Sequence, residues 1–214
     1  MTSSPSSLQF DKTLLDGLTQ LGINCDDEAR KRLLSLLDLL QQWNRTYNLT
    51  AIRDPAAMVT GHLLDSLAVL PHLPKGSLLD LGCGAGFPGL PIAICEPQRP
   101  VTLLDSNQKK TRFVQHAIGH LGLGNCQVVH QRSEQFTPQS GFDTVICRAY
   151  SALSDFVQQA ERLVQLDGTL IAMKGQLPTA EIAALPAGWQ VISCDPLAVP
   201  GVDQARHLVV VKRK

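Results

Sequence analysis

The strongest constraint on this chain is the run Leu78-Leu79-Asp80-Leu81-Gly82-Cys83-Gly84-Ala85-Gly86-Phe87-Pro88-Gly89-Leu90-Pro91. A short apolar segment breaks into alternating glycines and then returns to an apolar pattern at Leu90, Ile92, Ala93 and Ile94. That pattern reads as strand, glycine loop, helix. So tight a turn needs residues without Cβ, which take positive φ and let a ligand approach the main chain.

Two ligand classes use such a loop. Dinucleotides seat a pyrophosphate on the helix N-terminus, with glycines spaced G-x-G-x-x-G. Here Gly82, Gly84 and Gly86 are spaced G-x-G-x-G, and Asp80 stands two residues before the first. A carboxylate repels a pyrophosphate and attracts a cation. S-adenosylmethionine (SAM) carries a sulfonium and an ammonium and no phosphate, so spacing and acid together favour SAM over NAD. A tight turn without a ligand is the plainer alternative. The run Val101-Thr102-Leu103-Leu104-Asp105 then ends in a carboxylate about 20 residues on, where nucleoside-binding α/β folds place an acid on the ribose hydroxyls. Asp105 could instead cap the next helix, but Ser106 and Asn107 can do that, which favours the ribose role.

The 214 residues suffice for one substantial core, or one domain with an extension. The 44% hydrophobic content is ordinary for a globular chain. No apolar run reaches the ~18 residues of a membrane span. Residues 1–7 have neither a basic start nor an apolar run, so they read as a loose lead-in and not a secretory signal, and the protein is expected to be cytoplasmic. Cys25, Cys83, Cys95, Cys126, Cys147 and Cys194 lack C-x-x-C spacing, and no histidine pair stands near them at metal spacing. They read as reduced thiols with no metal. Zero net charge argues against a broad basic face for naked nucleic acid, while leaving room for a local patch.

Taken in order, Leu14, Leu15, Leu18 and Leu21 mark a helix over 8–21, ended by Gly22. Asp26, Asp27 and Glu28 open a longer helix with the stripe Leu33, Leu36, Leu37, Leu40, Trp43 and Tyr47, widened by Leu34 and Leu39. Asn48 closes it. Asp54 and Pro55 start a third helix carrying His62, Asp65 and Ser66. His62 and Asp65 share a face, either as a hydrogen-bonded pair that locks the helix or as contacts to ligand or RNA. Pro71, Pro74 and Gly76 mark a boundary between a helical extension, 1–75, and a cofactor-binding domain, 76–214. A helix over 108–121 begins with Lys109, Lys110 and Arg112, which oppose its dipole and are either solvated or serve an anion. A strand over 126–130 leads to Arg132, Ser133 and Glu134, where SAM folds of this order place adenine-binding groups. A strand over 142–147, a helix over 152–166, a turn at Asp167-Gly168 and strands over 169–173, 189–194 and 207–211 follow. The whole is a doubly wound α/β sheet: a Rossmann-like, seven-stranded mixed sheet of the class I SAM-dependent methyltransferase type, with an N-terminal helical extension.

The glycine run is joined by W-N-R-T-Y-N-L-T at 43–50, H-L-L-D-S at 62–66, L-L-D-S at 103–106, R-A at 148–149, K-G-Q at 174–176 and R-H-L-V-V at 206–210. As a set, from about Leu14 to Val211, these resemble the bacterial ribosomal RNA small subunit methyltransferase G family, formerly glucose-inhibited division protein B. The resemblance implies SAM-dependent methylation of guanine N7 in the 530 loop of 16S rRNA, with S-adenosylhomocysteine released. It implies SAM contacts at Gly82, Phe87, Ser133, Glu134 and Arg148. Gly61 departs from the arginine expected there.

Guanine N7 carries an in-plane lone pair and no proton, so no general base is needed, and the sequence shows no nucleophile–base constellation. No catalytic residue is assigned; Arg148 and Lys174 are the candidates. Ile146-Cys147-Arg148-Ala149 lacks the proline that precedes the covalent cysteine of cytosine C5 methylation, so Cys147 reads as structural. Arg148 is placed beside the cofactor, since a lasting bond to guanine N7 would block the reacting atom. Asn48, His62, Asp65, Lys174 and Arg206 are candidate RNA contacts. Lys212, Arg213 and Lys214 either meet phosphate or form a solvated tail. The expected partner is 16S rRNA or the small ribosomal subunit, with no membrane association and a monomeric chain. A SAM enzyme acting on a small molecule or protein, and an NAD-binding or non-catalytic module on the same fold, remain as alternatives.

Overall fold

The computed structural model describes residues 5–149 and 152–214. Among these, seven strands form one sheet: β1 (Leu78–Leu81), β2 (Val101–Asp105), β3 (Cys126–His130), β4 (Phe142–Arg148), β5 (Val164–Lys174), β6 (Trp189–Pro196) and β7 (His207–Arg213). Their order is β3-β2-β1-β4-β5-β7-β6. The first five run parallel, and β7 lies antiparallel to both neighbours. The chain winds outward from β1 to β3 and then returns to lay β4 on the other side of β1. That reversal opens a crevice at the C-terminal strand ends, where α/β sheets bind ligands.

The helices are α1 (Pro5–Gln20), α2 (Asp27–Tyr47), α3 (Pro55–Met58), α4 (Asp65–Leu67), α5 (Gly89–Cys95), α6 (Gln108–Leu121), α7 (Leu153–Ala160) and α8 (Thr179–Ala183). One apolar layer joins Leu14 and Leu18 of α1, Leu33 and Leu36 of α2, Leu90 of α5 and Phe113 of α6 to Leu78 and Leu103 of the sheet. The other face packs Phe156 and Val157 of α7 on Val145, Leu170 and Val209. The N-terminal helices thus share a continuous core with the sheet.

Local signals set most ends. The Asp26 side chain accepts from the Ala29 N–H at 2.7 Å and starts α2, and Asn48 ends it in the left-handed region at φ 49°. Asp54 caps α3, with Pro55 at its first position. Asn107 caps α6 by accepting from the N–H groups of Lys109 and Lys110, which relieves Asp105 of that task.

Four segments differ from the sequence reading. The third helix widens into a π-helical turn, Val59–Leu64, between α3 and α4. The helix expected over 152–166 stops at Ala160, because buried Leu163 and Val164 are drawn into the sheet: the Phe142 N–H donates to the Leu163 carbonyl at 2.8 Å. The strand β5 then bulges, pairing Phe142 with Val164 but Thr144 with Thr169. Helix α8 had no counterpart in the sequence reading. Of the expected lead-in, residues 1–4 lie outside the described residues and 5–7 are already helical. Residues 150 and 151, after the fourth strand, are also outside them.

Leu14 is fully buried in the layer shared with the sheet. Leu14→Ala is expected to cost about 2–5 kcal/mol. Because the core is continuous, urea unfolding followed by far-ultraviolet circular dichroism and by fluorescence of Trp43 and Trp189 should show coincident single transitions in wild type and variant.

Candidate active site

The glycine loop sits at the crevice. Gly82, Gly84 and Gly86 all have positive φ, at 71°, 59° and 86°. The N–H groups of Gly82 and Cys83 donate to the Leu104 carbonyl at 2.8 and 3.1 Å, pinning the loop to the end of β2. The Gly84 N–H donates to Asp105 Oδ2 at 2.8 Å, while Asp105 Oδ1 accepts from the Asn107 N–H at 2.7 Å. At Gly86 a Cβ would stand 2.4 Å from Leu90 Cδ1, so that position serves packing.

A cleft of about 310 Å³ opens beside the loop and gathers Gly82, Asp105, Ser133 and Glu134. It also takes in Arg132, beside Ser133, and Gln159 of α7, which no local sequence signal selects. The Ser133 hydroxyl donates to Gln159 Oε1 at 2.5 Å. Gly84, Gly86 and Phe87 do not line this cleft.

Asp80 lies fully buried beneath the loop. Its Oδ2 accepts from the Gly89 N–H at 2.8 Å, and its Oδ1 is buried without a hydrogen-bond partner among the described residues. Burial pushes its carboxyl up to about 7, against the pull of the Gly89 N–H and Arg148. An orphaned carboxylate oxygen beneath the loop that edges this cleft fits a ligand with a cationic end, such as SAM, whose positive charge offsets the buried negative one. Burial also holds the Cys83 and Cys147 thiols well above their ordinary range, so both are inert thiols.

A second cluster forms around the π-helical turn. His62 Nε2 shares a 2.9 Å hydrogen bond with Thr50 Oγ1. Thr50 is itself held by Asn44, whose Oδ1 accepts from the Thr50 N–H at 2.9 Å and whose Nδ2 donates to its carbonyl at 3.1 Å. The His62 ring stacks on Phe87, centroids 4.7 Å apart. On that same Phe87 ring lies the Arg148 guanidinium, 5.5 Å from the centroid. Arg148 donates to Asp65 Oδ2 at 3.0 Å and to the Gly61 carbonyl at 3.3 Å, and Arg206 Nε donates to Asp65 Oδ1 at 2.7 Å.

The hydrogen-bonded pair considered for His62 and Asp65 is therefore not formed: each has other partners. Both are also buried, His62 at 6% and Asp65 at 3% exposure, so neither presents a surface to RNA. Arg148 and Arg206 keep 21% and 24% of their side chains exposed. Asn48 is exposed at the end of α2, accepting from Arg53 at 2.9 Å. Lys174 ends β5 and pairs with Glu181 at 2.7 Å. The basic tail does not join the site. Lys212 and Arg213 lie in β7, whose antiparallel course carries them to the opposite end of the sheet from Lys174, and Arg213 covers the Trp189 ring at 4.5 Å.

In fold, the chain is similar to a SAM-dependent methyltransferase from Aquifex aeolicus (TM-score 0.57, 17% identity, 83% of this chain and 97% of that one). It is likewise similar to TrmN from Thermus thermophilus (TM-score 0.57, 20% identity, 80% of this chain and 53% of that one). Strand order and likeness together define a SAM-dependent methyltransferase fold. The family model for rRNA small subunit methyltransferase G (GidB) matches residues 29–209. The ribosomal RNA small subunit methyltransferase G of Marinobacter nauticus is 47% identical over 205 residues, 96% of each chain. That of Stenotrophomonas maltophilia is 48% identical over 211 residues, 99% of each. The chain belongs to the rRNA small subunit methyltransferase G family. Among the described residues no helix is long and apolar enough to cross a membrane.

His62 titrates at about 4, lowered mainly by burial and further by Arg148, against the opposing effect of Asp65. Its folded value lies below the unfolded ~6.5, so the unfolded chain binds more protons between these values. The His62 contribution is complete above pH 6.5 and is lost as pH falls toward 4. Asp80 acts with the opposite sign but equally in wild type and variant. Between pH 7.5 and 5, wild type should lose about 2 kcal/mol more unfolding free energy than His62→Gln, measured by urea titration at each pH.

Proposed function

We propose that this chain transfers the methyl group of SAM to N7 of a guanine in the 530 loop of 16S rRNA, presented as the RNA or the small ribosomal subunit to a cytoplasmic monomer. The observation that carries the reading is the adjacency of two unlike halves. A polar cleft and an orphaned Asp80 oxygen lie on the β1–β2 side, and a stacked Phe87–Arg148 wall stands at the end of β4.

Bound SAM supplies an electrophilic methyl on its sulfonium. Asp105, Ser133 and Glu134 hold the nucleoside, Asp105 with lone pairs left over for the ribose hydroxyls. Gly82 lets the main chain approach, while Gly84 and Gly86 shape the loop. Asp80 faces the cationic end. Phe87 and Arg148 bound the place where methyl and base meet and exclude water there. The attacking lone pair exists before the reaction and N7 bears no proton, so the residues need only align donor and acceptor in line. That agrees with a site in which burial keeps Cys147 a thiol and His62 neutral at pH 7. Arg206, Lys174 and exposed Asn48 meet the RNA around the target, and His62 and Asp65 act one step back, by placing Arg148.

The deciding experiment incubates small subunits, or 16S rRNA, with the protein and SAM labelled in its methyl group, followed by nucleoside mass spectrometry. Label in 7-methylguanosine is the expected result. Label absent from rRNA, with SAM still bound, would instead favour a small-molecule or protein substrate.

A further prediction concerns SAM affinity. A cation beside Asp80 favours the carboxylate, so binding must release a proton below pH 7. Wild-type Kd by calorimetry should weaken about fivefold to tenfold from pH 7.5 to 6, whereas Asp80→Asn should bind more weakly with a flat profile over that range.

A further inference from the structure

On the far side of Arg148 from the nucleoside cleft, the ends of β4 and β5 and the start of α8 enclose a second hollow of about 420 Å³. Ala149, Lys174, Gly175, Gln176 and Glu181 line it. Met173 of β5 is the sheet neighbour of Arg148, so the hollow opens at the same strand ends as the glycine loop. It is roomy enough for a purine and lies beside the proposed transfer point.

Glu181 is built into this hollow in an asymmetric way. One oxygen, Oε2, accepts both from the Lys174 ammonium at 2.7 Å and from the Leu153 N–H at the start of α7. The other, Oε1, has no hydrogen-bond partner among the described residues, and 31% of the side chain is exposed. A carboxylate is thus fixed in direction by two donors on one oxygen, while the second keeps its lone pairs for a ligand.

The chemistry of the target base says what that oxygen is for. A guanine that accepts a methyl at N7 must leave its N7 and O6 edge open to the donor. Recognition has to come from the opposite edge, where guanine offers two donors, N1–H and the 2-amino group. Resting on the guanine-N7 reading above, we infer that Glu181 is the specificity-determining residue for the base. Its Oε1 accepts from N1–H and the 2-amino group while Oε2 stays anchored. Adenine would turn the N1 lone pair toward this carboxylate and be repelled, although its N7 is an equally available nucleophile. Lys174 is then a positioning residue, because its ammonium anchors Glu181 Oε2 and so aims the carboxylate.

The test uses small subunits reconstituted with 16S rRNA carrying either guanine or inosine, which lacks the 2-amino group, at the methylated position. Glu181→Gln keeps an oxygen for Leu153 and Lys174 but turns an amide N–H₂ toward the base. Wild type should lose about tenfold in kcat/KM on inosine, the scale of one hydrogen bond to a charged group. Glu181→Gln should lose about a hundredfold on guanine and no longer distinguish guanine from inosine, with SAM Kd and Tm near wild type. Equal methylation of guanine and inosine by wild type overturns the assignment without recourse to any variant. So does a folded Glu181→Gln protein that retains the full inosine penalty. Wild type that binds SAM but puts no methyl on guanine would overturn the guanine reading itself, a different result from transfer without discrimination.

Discussion

The site depends on one buried carboxylate. Asp65 is 3% exposed and accepts from Arg148 at 3.0 Å and Arg206 at 2.7 Å. Removing a carboxylate from water costs several kcal/mol, and a single ion pair recovers that only with good geometry. Here two guanidiniums, one on each oxygen, offset it, and each keeps part of its surface in solvent. The three partners come from α4, the end of β4 and the residue before β7, so the pairings tie the N-terminal helices to the parallel and the antiparallel parts of the sheet. With Arg148 held from below, its guanidinium lies along Phe87, whose ring is also stacked by His62. The helical extension is thereby part of the wall of the site and not an appendage to it.

The glycine loop shows how one repeated residue answers three separate demands. Gly82 faces the nucleoside cleft, Gly84 gives its N–H to Asp105, and Gly86 makes room for Leu90. The G-x-G-x-G spacing therefore encodes an open wall of the cleft, an electrostatic tie to β2 and a helix–loop contact within five residues. Asp80 belongs to the same device from beneath: its bond to the Gly89 N–H holds the start of α5, and its other oxygen is buried without a hydrogen-bond partner among the described residues.

What could be read from the sequence was what local rules determine. The capping acids and amides fixed α2, α3 and α6, and the 3.6-residue stripe found the buried leucines of α2. The strands β1, β2 and β3 followed from short β-rich runs between turn residues. The unread parts are those set by long-range partners. The π-helical turn places His62 on Phe87 and Asp65 between arginines, one of which is 141 positions away. No periodicity can announce that, and spacing alone suggested a His62–Asp65 pair that the fold does not make. The early start of β5 is drawn out by Phe142 across the sheet. Where the basic tail lies relative to the site could not be read either, because that distance depends on β7 running antiparallel. Gln159 and Glu181 carried no local signal: each is a polar residue on a short helix, and only the sheet brings it to a cleft.

These arrangements give the site an uncommon electrostatic character. Burial favours the neutral forms of His62 and Cys147, while Asp65 and Lys174 are engaged in ion pairs. A site that had to move a proton would need a group poised near neutral pH with access to the reacting atom. Asp80 titrates near neutrality but is sealed beneath the loop, where it can sense a cation and not reach a base. Transfer to a lone pair that is already free needs no proton acceptor, so paired charges are an advantage: they fix geometry without competing for the acceptor. The barrier is then lowered through alignment and desolvation, which depend on rigid neighbours. Rigidity is what the Asp65 pairings, the Thr50–His62–Phe87 stack and the Lys174–Glu181 anchor all supply.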